Sequence, residues 1–382
     1  MTRLVTVAPF SIRRFVDNHK SEMFVCIQFP AGLFLLFYGI VYLLPLAFSG
    51  LLFGTPVAII WAIFFLLLTG LCAALGVKLI IIASLQLMIL KSLKSLQFAK
   101  TKQQCLRAMA ILSRWPLVRG TDMSFFEVGL GAVCMGRADY SQAESLFASA
   151  VERYRRYMTK HGARYKSRLT PNMVVLLSHF SRACAAQGKH DQSELAANEA
   201  LELARTIRKK AYARIELFAV SALGYSHLRS GALEQAESEY NQVLQLYAET
   251  PEIPTYGSTV FAPILTAATL GLAIIAIKQG KTEASLQHWT SCVERIMQAS
   301  TPTSPTFLRG LNLLANEYMN NKLFAEAENV LDIAYSVALH HFDHPDAKET
   351  LNYFEKLLLL TGRQTDVGDM RAWLRLSQQR TD

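Results

Sequence analysis

"LGYSHLRSGALEQAESEYNQV", Leu223–Val243, is the stretch that decides the fold. Apolar and small residues recur at helical spacing on both sides of Gly231. Glycine there is a natural helix stop, so the stretch reads as helix, turn, helix. Gly224 and Ala236 are too small to hold two helices apart, and Tyr240 and Val243 are large enough to fill the space behind them. One such hairpin cannot bury both of its faces. It needs neighbours of the same kind.

The chain supplies them. The same order of residue types recurs at Leu130, Gly131, Cys134, Ala138, Tyr140, Ala143, Phe147 and Ala150. It recurs at Phe180, Ser181, Cys184, Gly188, Ser193, Ala197 and Ala200. Leu272, Ala273, Ala276, Gly280, Ser285, Trp289 and Cys292 make a fourth copy after the one at Leu223. Leu314, Ala315, Tyr318, Phe324, Ala327, Leu331 and Ala334 make a fifth. Phe354, Leu358, Gly362 and Leu374 repeat the scheme weakly, with Glu355 where a small residue belongs, as a terminal cap would.

These residues resemble the tetratricopeptide repeat (TPR) family over residues 120–376. The small residues at 143, 193, 236, 285 and 327 are spaced by 50, 43, 49 and 42, longer than the 34-residue TPR period. Longer helices or longer connections are therefore expected. The resemblance implies that the concave face, lined by the first helix of each pair, takes a peptide from a protein partner. Carried over onto this chain, the peptide groove is Tyr225, Arg309, Asn312, Asn316 and Asn352, with Arg182, Ser178, Ser221 and Leu228 on the same face. Leu270, Ile274 and Ile277 make the fourth copy's share of that face apolar and in want of cover. The chain itself could supply it, for instance through "ETPEIPTYGST", Glu249–Thr259.

"HHFDHPDA", His340–Ala347, has the look of a metal site, but it falls between the fifth copy and the cap. It resembles the linker of the kinesin-light-chain type of TPR, where an Asp-His-Pro step precedes a Leu-Asn helix; here these are Asp343, His344, Pro345, Leu351 and Asn352. Pro345 can open a helix. His340 and His341 are adjacent and diverge by about 100° on a helix, so they make no ligand pair.

The N-terminal part is of another kind. From Met23 to Val77 there is no Asp, Glu, Lys or Arg. Two apolar blocks, 29–53 and 57–77, each exceed the ~20 residues that span a hydrocarbon core. They read as a transmembrane hairpin within residues 24–90, preceded by a basic segment over 1–23 and followed by a basic juxtamembrane helix over 91–119. Residues 78–119 carry eight Lys/Arg and no acid, and the turn between the blocks carries no charge. The positive-inside rule places both termini and the repeats in the cytoplasm. Lys91, Lys94, Lys100 and Lys102 are candidates for anionic headgroups, as are Arg153, Arg155 and Arg156 in the basic stretch Arg153–Arg168. Arg205–Arg214 is a second basic stretch at the equivalent place in the next copy.

The six cysteines share no close spacing, which excludes a disulfide framework and a zinc cluster. No nucleotide loop, metalloprotease helix or nucleophile elbow occurs. The expectation is an all-α chain, a transmembrane hairpin followed by a TPR-type solenoid of five to six helix pairs. It is a non-enzymatic scaffold or adaptor without cofactor, holding a protein partner at the membrane, and nucleic acid is not expected. A structural or assembly subunit of a larger membrane complex, working through its transmembrane helices around Gly70 and Ala74, stays open beside it.

Overall fold

The structure is a computed structural model. It describes residues 98–113, 120–161, 163–207, 214–249, 258–298, 307–339 and 344–367, with scattered positions between 64 and 88. Among these residues there are helices and no strand. The transmembrane hairpin expected at 29–53 and 57–77 falls almost wholly outside the described residues, as do Lys91 and Lys94.

The chain divides into two compact units, the first up to Gly129 and the second from Leu130 onward, with residues 254–257 counted in the first. In the first unit, helix α1 (Phe98–Ser113) buries Cys105, Ala108 and Leu112 and leaves Leu106 and Ile111 about half exposed. Helix α2 (Gly120–Gly136) begins there and ends in the second unit.

The second unit is a solenoid. Helices α3 (Tyr140–His161), α4 (Ala163–Ala186), α5 (His190–Arg205), α6 (Glu216–Ser230), α7 (Leu233–Glu249) and α8 (Ser258–Lys278) follow in order. They continue through α9 (Thr282–Gln298), α10 (Leu308–Asn320), α11 (Phe324–Ala338) and α12 (Pro345–Leu360). From α4 on, the even-numbered helices pack on the odd-numbered helix that follows and on the next even-numbered one, the nearest-neighbour stacking of a repeat array.

One hydrogen bond sets the register in every copy. Where the first helix of a pair ends, a backbone N–H turns back to the carbonyl five residues earlier. The pairs are Asp139 to Cys134, Lys189 to Cys184, Ala232 to His227, Lys281 to Ala276, Leu323 to Tyr318 and Arg363 to Leu358. The six acceptors fall at the same place in the five copies and the cap. This is the Schellman closure, which requires a left-handed residue just before the donor. Gly231 supplies it with φ 84°, and in the fifth copy Lys322 is held at φ 60° without glycine's freedom.

The close approach expected from the small residues is present. A methyl group added at Gly224 would come within 2.9 Å of the Tyr240 ring, and one at Gly131 within 2.5 Å of Phe147. Tyr240 is also pressed against Gly271 of α8, so one buried aromatic locks the third pair to the fourth. Where serine replaces the small alanine, its hydroxyl is used: Ser193 Oγ donates to the Ser181 carbonyl and Ser285 Oγ to the Ala273 carbonyl, both at 2.8 Å.

The long spacing between the first two copies comes from long helices, since α3 has 22 residues and α4 has 24. Helix α8 is apolar all round. Its segment Phe261–Lys278 is long and apolar enough to cross a membrane, yet 78% of it is buried within the chain. It is the central helix of the array, and it satisfies its apolar surface against its neighbours.

Candidate functional site

The concave face is lined by α4, α6, α8, α10 and α12, and different stretches of it have different fates. In the fourth copy, Leu270, Ile274 and Ile277 are buried in one core cluster with Leu311 and Leu314 of α10. Gly310 of α10 leaves room for Leu270, whose side chain reaches within 2.5 Å of where a Cβ would stand. The apolar cover that this stretch requires is thus a neighbouring helix. The loop Glu249–Thr259 lies largely outside the described residues.

Asn312 is likewise consumed internally, against the expectation of a peptide contact. It is 1% exposed. Its Nδ2 donates to the Asp346 carbonyl at 2.9 Å, and its Oδ1 accepts from Thr350 Oγ1 at 2.8 Å. Helix α12 packs too close to α10 to leave the amide open, so the amide joins the two helices instead. Ser178 and Ser221, at the matching position of earlier copies, are buried as well. Asn316 is half-buried and accepts from Lys356 Nζ at 3.4 Å, while Asn352 is exposed on α12.

The polar residues of the groove form two pairs. The Arg182 guanidinium lies 5.5 Å from the centroid of the Tyr225 ring, and that of Arg309 lies 5.0 Å from the centroid of Tyr140. Tyr140 opens α3 in the first pair, Arg182 is on α4, Tyr225 on α6 and Arg309 on α10. The second and third pairs thus meet through Arg182 and Tyr225, and the first and fifth, which are not neighbours in the array, through Tyr140 and Arg309. Burial raises the Tyr140 hydroxyl to about 12, with Asp346 adding to the shift and Arg309, hydrogen-bonded to it, opposing it. At neutral pH Tyr140 is therefore a neutral phenol. His179, beside Arg182, is stacked on Phe147 at 5.7 Å; burial and then Arg182 lower it to about 4, so it is neutral too.

Of these groups, Arg182, Tyr225 and Arg309 were placed on the groove by the repeat pattern. Tyr140 was not: it belongs to the second helix of its pair, and its reach across the array leaves no local signal.

The histidine stretch behaves as a joint. His344 is the N-cap of α12, its Nδ1 accepting from the Asp346 N–H at 3.1 Å, and Pro345 takes the first turn. Among the described residues no group of three His, Cys, Asp or Glu is placed to hold a metal ion.

The basic surfaces are partly neutralised. Arg155 pairs with Glu199 at 2.5 Å and Arg156 with Glu152 at 2.8 Å; Arg153, Arg155 and Arg156 are all exposed. Lys100 is exposed and Lys102 half-buried. Arg214, read as part of a second basic surface, is turned inward instead. It is 7% exposed and lies over the Tyr247 ring at 4.2 Å, because its flat guanidinium covers the end of the aromatic core better than it would sit in water.

No protein-family model and no curated protein matches this chain. Solved structures do. NprR in complex with its cognate peptide NprX is 12% identical over 78% of this chain and 76% of that one, with a TM-score of 0.54. A Rap protein complexed with competence and sporulation factor is 13% identical over 76% of each chain, at 0.48. A tetratricopeptide repeat protein from Parabacteroides merdae is 12% identical over 78% of this chain and 93% of that one, at 0.42.

The fold is a TPR-like helical solenoid. At these identities the likeness is one of fold, and the side chains of the groove are this chain's own.

Proposed function

We propose that this chain is a membrane-anchored scaffold whose solenoid holds a peptide segment of a protein partner on the cytoplasmic side. The observation that carries the reading is the stacking of Arg182 on Tyr225 and of Arg309 on Tyr140, drawn from four helix pairs. Half-buried cations stacked on tyrosines are a costly way to finish a surface that only faces water, and an economical way to grip a ligand. NprR, which shares the fold, is solved with a bound peptide. Asn352 and Leu228 extend the surface beyond the cluster, whereas Asn312 is left out of it. We read the last repeats as the kinesin-light-chain type, from the His344-Pro345 opening of α12.

The anchor is supported by the uncharged run Met23–Val77 and by Phe64 and Leu67, which are 51% and 69% exposed. Lys91, Lys94, Lys100, Lys102, Arg153, Arg155 and Arg156 are the proposed headgroup contacts, of which Arg155 and Arg156 share their charge with Glu199 and Glu152.

Quantitative affinity purification of the tagged full chain from membranes tests the reading. Wild type and Leu195→Glu, altered far from the groove, should retain the same partner. Tyr225→Ala should lose it. Identical partner sets for all three contradict the reading.

A further inference from the structure

The outer side of the solenoid carries a surface of a different kind. Between α3 and α5, the second helices of the first two pairs, lies a cleft of about 230 Å³. Ala148 and Val151 of α3, Leu177 and Phe180 of α4 and Ala196 of α5 give it an apolar lining. Leu195 stands at its edge and is 72% exposed, the most exposed large apolar side chain among the described residues. The repeat register makes this leucine an exception. Two residues after the small residue of each second helix stand Ser145, Leu195, Ser238, Gln287 and Asn329, all of them exposed. Four copies put a polar side chain into water there, and the second puts a leucine. A bare leucine on its own is ordinary, but beside an apolar cleft it completes a patch.

The two walls of the cleft are opposite in charge. On α3, Arg153, Arg155, Arg156 and Lys160 are exposed beside one exposed acid, Glu152. On α5, Asp191, Glu194 and Glu202 are exposed and Glu199 is half-buried, while its one arginine, Arg205, is paired with Glu216. The walls already attract each other within the chain, where Arg155 meets Glu199.

A basic wall, an acidic wall, and a hole and a knob between them make a self-complementary face. An isologous contact needs each feature of a patch matched by its opposite on the same patch. Turned about a two-fold axis, a second copy lays its α5 over α3 and its α3 over α5. Each Leu195 then reaches the cleft of the other copy. A uniformly acidic or basic protein would be attracted by one wall and repelled by the other.

We propose that the α3–α5 face is a two-fold contact between two copies of this chain, with Leu195 of each seated in the cleft of the other. The groove is complete within one chain, so the contact is independent of peptide binding. Anionic headgroups would compete with the second copy for Arg153, Arg155 and Arg156, and a test in neutral detergent removes that competition.

Light scattering on the purified full chain in neutral detergent, over a range of concentrations, gives the mass of the protein part. Wild type should pass from one chain to two as concentration rises. Leu195→Ser, which restores the residue of the first and third copies, and Leu195→Glu should each raise the dissociation constant by about tenfold or more. Leu359→Ser, at a leucine 51% exposed on α12, should leave it unchanged. Arg155→Glu and Glu199→Lys should each weaken the dimer, because each sets like charges together across the axis. Mixed in equal amounts, these two variants should associate again, since each supplies the wall that the other has lost. Both lack the internal Arg155–Glu199 pair, so that loss does not account for a rescue.

If Glu199→Lys fails to fold, judged by circular dichroism, the Leu195 series carries the test. A wild type that stays a single chain at every concentration overturns the proposal. A dimer that keeps its affinity in both Leu195 variants does so too, since it is held elsewhere, as do folded charge variants that fail to associate when mixed.

Discussion

Arg309, from the fifth helix pair, lies 5.0 Å from the centroid of the Tyr140 ring, in the first. The two residues are 169 positions apart in the chain. Their contact joins helix pairs that are not neighbours in the array.

The contact should couple the two ends energetically. A cation–π pair of this exposure is worth about 0.5–2 kcal/mol. In a double-mutant cycle, Arg309→Ala and Tyr140→Ala should show a coupling of about 1 kcal/mol in urea unfolding of the full chain. Strict additivity would mean that the ends do not touch in solution.

The packing of Tyr240 makes a sharper demand. Gly271→Ala places a methyl group into the Tyr240 ring. Elsewhere in a helix interior that change stabilises by about 1 kcal/mol. Here it should destabilise by about 1–3 kcal/mol, the cost of overpacking. Lys322→Gly should do the reverse. It relieves a left-handed lysine at φ 60° and should add up to about 1 kcal/mol. Thermal unfolding of the two variants checks both signs.

His179 gives the fold an acid-sensitive point. Its folded pKa, about 4, lies below its ordinary value of 6.5 because burial, and then Arg182, penalise the cation. The unfolded chain therefore takes up a proton first. This contribution to stability is fully present above about pH 6.5 and is lost progressively as pH falls toward 4. His179→Phe, which can keep the stack on Phe147, should flatten the decline of the unfolding midpoint over that interval. An unchanged pH profile would remove His179 from the account.

The thiols should be silent. Cys184 and Cys292 are fully buried, and burial raises both to about 12. Maleimide at pH 7.5 should label them only after denaturation. They therefore cannot report which side of a membrane the repeats occupy. A cysteine placed at Leu195, which is 72% exposed, can. In intact cells a Leu195→Cys variant should resist an impermeant maleimide and react once the cells are opened. Labelling from outside would reverse the proposed topology.

Much of this fold was legible because its signals are local. Gly131 meets Phe147 and Gly224 meets Tyr240 within a single helical hairpin, each pair 16 residues apart in the chain. The closing turns were legible for the same reason, with Ala138 and Lys322 as the two places where the glycine was missing. His344 and Pro345 resolved from a metal-like string into a helix cap once the repeat register was known. The groove was legible only in part. The pattern says which face of a helix looks inward, but not how far successive pairs rotate. That accumulated rotation brings Tyr140 to Arg309, and it is set by packing along the whole array. The same packing draws α12 onto Asn312 and α10 onto Leu270, turning two expected contact surfaces into core. Arg214 was misread for a different reason: its charge suggests water, while the flat face of its guanidinium suits Tyr247.

The most direct test is site-specific photocrosslinking in the full chain at its membrane, with the photoreactive residue at Leu228, Asn352 or Leu195 in turn. The account predicts that Leu228 and Asn352 capture one and the same polypeptide, and that Leu195 does not. Capture of that polypeptide from Leu195 alone, or equally from all three positions, would contradict it.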